Sequence, residues 1–147
     1  AVCYSGDPLR DQEGMGMVPS LDLVCSCKPR IGLGGIGENR MMNKMTRGDI
    51  RKAIDWYLAK KNIDTNIGIR RSSYTDLDCW GQCYEANGGY MIELAMNQNT
   101  RDLLATLFHE CVHVWQWERG HWKGEGEQEA IRLQYKLADE YWKAGLV

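Results

Sequence analysis

Two of the chain's three histidines stand four residues apart, in the segment Leu107-Phe-His-Glu-Cys-Val-His113. On an α-helix that spacing puts both imidazoles on one face, one turn apart, where they can share one ion. Imidazole nitrogen suits zinc, at about 2.0–2.1 Å. Glu110 projects about 100° round the helix from His109, so it need not bind the metal. The chemistry of such a constellation is hydrolysis: the metal acidifies a bound water and the carboxylate takes its proton. His109 and His113 are therefore the expected metal ligands, and Glu110 the expected catalytic base.

The five-residue pattern H-E-x-x-H alone arises by chance in many proteins, but its setting here is specific. It lies on a segment that reads as a helix for independent reasons, with Thr100 as a cap before it and Gly120 as a stop after it. Cys111 and Val112, between the histidines, leave the turn undisturbed. Leu103, Leu104, Leu107, Cys111, Val114 and Trp115 form one apolar stripe, whereas His109 and His113 fall on roughly the opposite side with Asp102 and Thr106. A core histidine belongs on the stripe, so the competing reading is a pair of surface histidines.

A catalytic zinc usually has three protein ligands and one open position. Glu125, Glu127, Glu129 and His121 all follow the motif closely enough to supply the third. The next helix runs from about Gly126 to Lys143, and Ala130, Ile131, Leu133, Leu137, Ala138 and Tyr141 define its inward face. Glu127 projects near the centre of that face; Glu125 and Glu129 point away. A carboxylate aimed into a core is costly unless a cation meets it. Glu127 is the favoured ligand, with a solvated first-turn carboxylate at a helix N-terminus as the plainer alternative. His121 stays open as a ligand if the chain turns back tightly after Gly120.

The elements that must carry these residues are legible in outline. Residues 1–40 hold all three prolines and the run Gly32-Leu-Gly-Gly-Ile-Gly37, and read as an irregular N-terminal arm. The run lacks the Gly-Lys-Ser/Thr ending of a phosphate loop. From Thr46, with Asp49 three residues on, Ile50, Ala53, Ile54, Tyr57 and Leu58 recur at helical spacing up to Lys60-Lys-Asn62. Asn66–Arg71, Cys79–Glu85 and Tyr90–Met96 read as strands, the last two joined by a turn at Asn87-Gly-Gly89. The order helix, three strands, helix, helix predicts an α+β fold: an N-terminal helix, a small three-stranded sheet, the helix bearing the motif and a C-terminal helix.

Composition narrows the rest. The 147 residues suit one domain, with 44% hydrophobic and 26% charged residues and a formal charge of -2. No apolar run approaches the ~20 residues of a membrane span, and the first residues lack the pattern of a signal peptide. A cytoplasmic location is expected, with most of the six cysteines (Cys3, Cys25, Cys27, Cys79, Cys83, Cys111) reduced. A second, structural zinc on Cys25, Cys27, Cys79 and Cys83 is a weaker reading. Basic residues dominate from Arg40 to Arg71, where a nucleic acid could make contact; a solvated helix face is the plainer reading.

His-Glu-Cys-Val-His-Val-Trp-Gln, followed by a glycine and then Glu127-Gln-Glu-Ala130, resembles the small zincin metallopeptidases, in particular SprT-like proteins and minimal gluzincins. Cys79-Trp-Gly-Gln-Cys83, Tyr90-Met-Ile-Glu-Leu94 and Leu103-Leu-Ala-Thr-Leu-Phe108 add to the SprT-like pattern. The resemblance covers residues 46–145 and implies a zincin-like metallopeptidase domain over 41–147, bound Zn2+ and hydrolysis of a peptide or protein substrate. It also implies an extended peptide lying along Tyr90–Met96. Two departures stand out: SprT-like proteins supply a third histidine where Glu127 stands here, and Arg119 occupies the position of the third metzincin histidine. The competing function is a non-catalytic, zinc-stabilised binding module for nucleic acid or a larger protein assembly.

Overall fold

Helix α1, Arg47–Lys61, begins where the side chains dictate. Thr46 Oγ1 accepts from the Asp49 N–H at 3.1 Å while the Asp49 carboxylate accepts from the Thr46 N–H at 2.8 Å. Two of the helix's four orphan donors are thereby satisfied, an effect worth about 1 kcal/mol. Asn62 ends the helix in the left-handed region, at φ 54°. Ile50, Ala53, Ile54 and Tyr57 are buried, as their spacing predicts.

The computed structural model describes residues 43–120 and 126–146, together with the backbone of residues 2–3 and 25–27. The fold is mixed α+β. The strands are β1 (Val2–Cys3), β2 (Cys25–Cys27), β3 (Ile67–Ser72), β4 (Gly81–Ala86) and β5 (Gly89–Ala95). A short helix α2 (Tyr74–Leu77) links β3 to β4, and α3 (Thr100–Glu118) and α4 (Gly126–Lys143) follow β5. The three longer strands form the body of the sheet, and the two short segments extend it in the order β1-β2-β4-β5-β3. β3 and β5 run parallel; every other pair is antiparallel. The β4–β5 turn has positive φ at Asn87 (50°) and Gly88 (77°), the pair of values that a type I′ hairpin needs.

Three expectations change. Asn99, not Thr100, caps α3: its side chain accepts from the Asp102 N–H, and Thr100 is the first helical residue. Residues 2–3 and 25–27, inside the arm expected to be irregular, carry strand backbone. The third concerns Tyr90–Met96, along which the resemblance implied an extended peptide and hence an edge strand. β5 is interior, with β4 on one side and β3 on the other, so it has no free ladder for a peptide.

At the sheet's β3 edge, side chains take two outward carbonyls. Arg47 Nη1 donates to the Ile69 carbonyl and Arg51 Nη2 to the Ile67 carbonyl, so α1 covers the acceptors that β3 turns outward. Other members of the basic segment are also engaged: Arg70 pairs with Glu93, Lys60 with Glu140, and Lys61 lies over the Trp115 ring. On the sheet face away from the helices, Arg70, Gln82 and Tyr84 converge on the Glu93 carboxylate at 2.7–2.9 Å and tie β3, β4 and β5 together.

The other face packs on α3, which lies between the sheet and α4 and is buried almost all round from Leu103 to Gln116. Phe108 stands at the junction of three helices, with Trp56, Tyr57 and Tyr141 around it at centroid distances of 5.5–6.1 Å. No helix among the described residues is long and apolar enough to cross a membrane.

Candidate metal centre

α3 carries His109, Glu110 and His113, and none of the three has measurable exposure. The face opposite the apolar stripe is not a surface, because α4 lies over it. The surface-histidine reading is thereby excluded. From the first turn of α4, Glu127 reaches across to the pair. Its Oε1 lies 2.7 Å from His109 Nε2 and 3.9 Å from His113 Nε2, and the two Nε2 atoms are 3.1 Å apart. These three side chains form the one group among the described residues whose donor atoms could hold a metal ion.

Of the remaining candidates, the described residues include Glu129 alone. Glu129, expected to point away from the inward face, turns to α3 but not to the histidines: its Oε1 accepts from Gln116 Nε2 at 3.0 Å. Glu125 and His121 lie outside the described residues. Cys79, Cys83 and Cys111 are buried, while Cys25 and Cys27 are described by backbone alone. Burial, with Glu110 close by, pushes the Cys83 and Cys111 thiols up, so both stay protonated. On α4, Tyr135 donates its hydroxyl to Asp102 and Tyr141 packs on Phe108.

Two glutamines that the sequence reading passed over complete the centre. His113 Nδ1–H donates to Gln116 Oε1 at 2.8 Å, and His109 Nδ1–H donates to Gln134 Oε1 at 2.7 Å. The orientation of Gln116 is set from its other end, where Nε2 donates to the Gly126 carbonyl at 2.9 Å and to Glu129. Its oxygen must then face His113. With both Nδ1 atoms carrying the proton, both Nε2 atoms present lone pairs to the space between α3 and α4. The Gln116–His113 spacing of three residues on one helix was a readable signal; the Gln134 contact needed the tertiary fold.

The electrostatics favour positive charge in that space. With Nε2 of His109 bare, neither Glu127 oxygen receives a hydrogen bond. A half-buried carboxylate facing two lone pairs is unfavourable unless positive charge enters. A proton is the simplest such charge. Burial pulls His109 down, but the carboxylates of Glu127 and Glu110 outweigh it and its pKa is raised. Burial likewise raises Glu127, yet the two histidines prevail and hold it at about 2. The pair is an imidazolium–carboxylate when protonated, and a divalent ion would satisfy the same three atoms better.

Glu110 leaves α3 toward β4. A Cβ built on Gly81 would stand 3.5 Å from Glu110 Oε1 and 2.5 Å from Thr106 Cγ2, so only glycine lets the strand approach this closely. Thr106 itself is held by its bond to Gln98 Oε1, and Cys83 Sγ donates to the Glu110 carbonyl at 3.7 Å. Trp117 stacks on His113 at 6.2 Å and on Tyr90 at 5.7 Å. No protein-family model, curated protein or solved structure matches this chain.

Proposed function

We propose that the chain is a zinc-dependent peptidase of the zincin type, SprT-like or minimal gluzincin, in which His109, His113 and Glu127 hold the metal and Glu110 is the base. The observation that carries this reading is the His109–His113–Glu127 group, two buried imidazoles and a half-buried carboxylate whose donor atoms all lie within 4.8 Å of one another between α3 and α4. Ligands about 2.0–2.1 Å from a tetrahedral zinc stand about 3.3–3.4 Å apart. The observed separations of 2.7, 3.1 and 3.9 Å bracket that value, so shifts of well under 1 Å close the site around an ion. Zinc, when bound, supplies a Lewis acid that polarises a peptide carbonyl and acidifies water.

The chain's own residues supply the rest. Gln116 and Gln134 fix the tautomer that turns both Nε2 atoms to the metal. Glu110, one residue from His109 and with no exposed surface, takes a proton from the attacking water and returns it to the departing amine. A site built only to staple α3 to α4 would need the two histidines and Glu127 and would have no use for a second buried carboxylate. This weighs against the non-catalytic binding module. The internal contacts of Arg47, Arg51, Lys60 and Arg70 weigh against a nucleic-acid surface on the basic segment.

The test is zinc per chain by elemental analysis together with casein hydrolysis, for wild type, His109→Ala and Glu110→Gln. The reading expects about one zinc in wild type, almost none in His109→Ala, and a full complement with activity lower by at least a hundredfold in Glu110→Gln. Undiminished hydrolysis by Glu110→Gln would refute the base; zinc-free wild type after zinc is supplied would refute the centre.

A further inference from the structure

We infer that the strand Cys25–Cys27 occupies, from within the chain, the sheet edge on which an extended substrate would dock, so that it must leave β4 before a peptide reaches Glu110. The inference rests on the peptidase reading and adds its regulation. Three observations support it.

The sheet has one serviceable edge near the reactive carboxylate. β5 is interior, and the outward carbonyls of β3 at Ile67 and Ile69 are taken by Arg51 and Arg47. β4 passes directly over Glu110 at Gly81, and its side away from β5 is a free ladder unless something pairs there. An extended peptide added to that ladder is held by main-chain hydrogen bonds and needs little sequence of its own.

The chain already places a strand there. Cys25, Ser26 and Cys27 pair antiparallel with Cys83, Gln82 and Gly81, the stretch that overlies Glu110. β2 also lies against α3, and β1 lies against α4, so the two short strands touch both helices that bear the centre. The third observation is closure. Glu110, His109 and His113 have no exposed surface, whereas hydrolysis needs substrate and water to reach them. A site complete in its ligands and shut to its substrate is in a latent state.

A tethered strand competes at an effective concentration of about millimolar. If it is seated in nine chains of ten, the open edge is a tenth of the population and an external peptide binds about tenfold more weakly than to an open edge. Proline at position 26 removes a backbone N–H and fixes φ, which a strand ladder tolerates poorly.

The experiment measures binding of a fluorescein-labelled synthetic peptide, with the sequence of residues 20–30, by anisotropy in reducing buffer. The zinc-loaded full-length chains compared are Glu110→Gln, which should not cut the peptide, and Glu110→Gln combined with Ser26→Pro. Cys27→Pro in place of Ser26→Pro is the second variant. The expected result is at least tenfold tighter binding to both proline variants. Equal affinity within twofold, or no binding to any chain, overturns the inference. So does loss of the fold in both proline variants, since a displaceable strand cannot be essential to the core. The peptidase reading is scored separately, by casein hydrolysis of Ser26→Pro with Glu110 intact. Zinc-loaded Ser26→Pro that gains peptide binding and leaves casein whole refutes the peptidase and leaves the strand exchange standing.

Discussion

Gln116 is the residue whose removal the centre should feel in two separable ways. It is 2% exposed and makes three hydrogen bonds: from His113 Nδ1–H, to the Gly126 carbonyl and to Glu129. Gln116→Ala strands the first two groups in the interior; Glu129 is exposed enough for water to replace its donor. Each stranded buried group costs about 1–3 kcal/mol, so the zinc-free chain should lose about 2–6 kcal/mol, or roughly 10–20 °C in Tm for a domain of this size. Separately, losing the partner that orients a histidine ligand costs about 10–100-fold in metal affinity. The assay is zinc competition against a chromophoric chelator at pH 7, with thermal melts of the zinc-free chain alongside. Gln116→Glu separates the two effects. It keeps an oxygen for His113 Nδ1–H but loses the donor to Gly126 and sets a second carboxylate beside Glu129. It should regain most of the zinc affinity and none of the melting temperature. Zinc affinity within twofold of wild type in Gln116→Ala would refute the orienting role, and parallel recovery of both quantities in Gln116→Glu would refute their separation.

Glu127→Ala should weaken zinc binding by a hundredfold or more while Glu129→Ala changes it less than tenfold, since only the former loses a ligand; equal losses in the same chelator competition would contradict the placement of Glu127. The pH dependence of the two forms should run in opposite directions. In the zinc-free chain, the Glu127 contribution is complete above its ordinary value of 4.5 and lost as pH falls toward about 2. The His109 contribution is complete below its ordinary 6.5 and lost as pH rises through its raised pKa, so the zinc-free chain gains most from the pair between those two values. Zinc must displace that proton, so its own contribution grows with pH. The Tm difference between zinc-loaded and chelator-treated chain should therefore widen from pH 5 to pH 8; a constant difference would mean that no proton is exchanged for the metal.

Local chemistry was legible wherever neighbours in sequence decide the outcome. The Thr46–Asp49 box, the Asn87-Gly88 turn and the inward aim of Glu127 follow from spacing alone, and each is present. What could not be read was which face of α3 another element would cover. A stripe of Asp102, Thr106, His109 and His113 reads as solvent-facing because polar side chains are rarely buried unpaired. Here they are paired, Asp102 by Tyr135, Thr106 by Gln98, and the histidines by Gln134 and Gln116. Strand order was equally hidden. The resemblance implied a peptide along an edge strand at Tyr90–Met96, but the parallel pairing of β3 joins segments about 23 residues apart in register, which no local pattern reveals.

The arginines on α1 have a consequence for assembly. Sheets grow by adding strands at their edges, and a chain with two open edges can polymerise without limit. In this chain Arg47 and Arg51, whose donors come from the folded body, take the outward carbonyls of Ile69 and Ile67 at the β3 edge, while the β4 edge is covered by the strand Cys25–Cys27. Displacing that strand leaves one open edge per molecule. One open edge permits two copies to pair about a twofold axis and then offers nothing to a third, so unlatching can end in a dimer and not in a fibre.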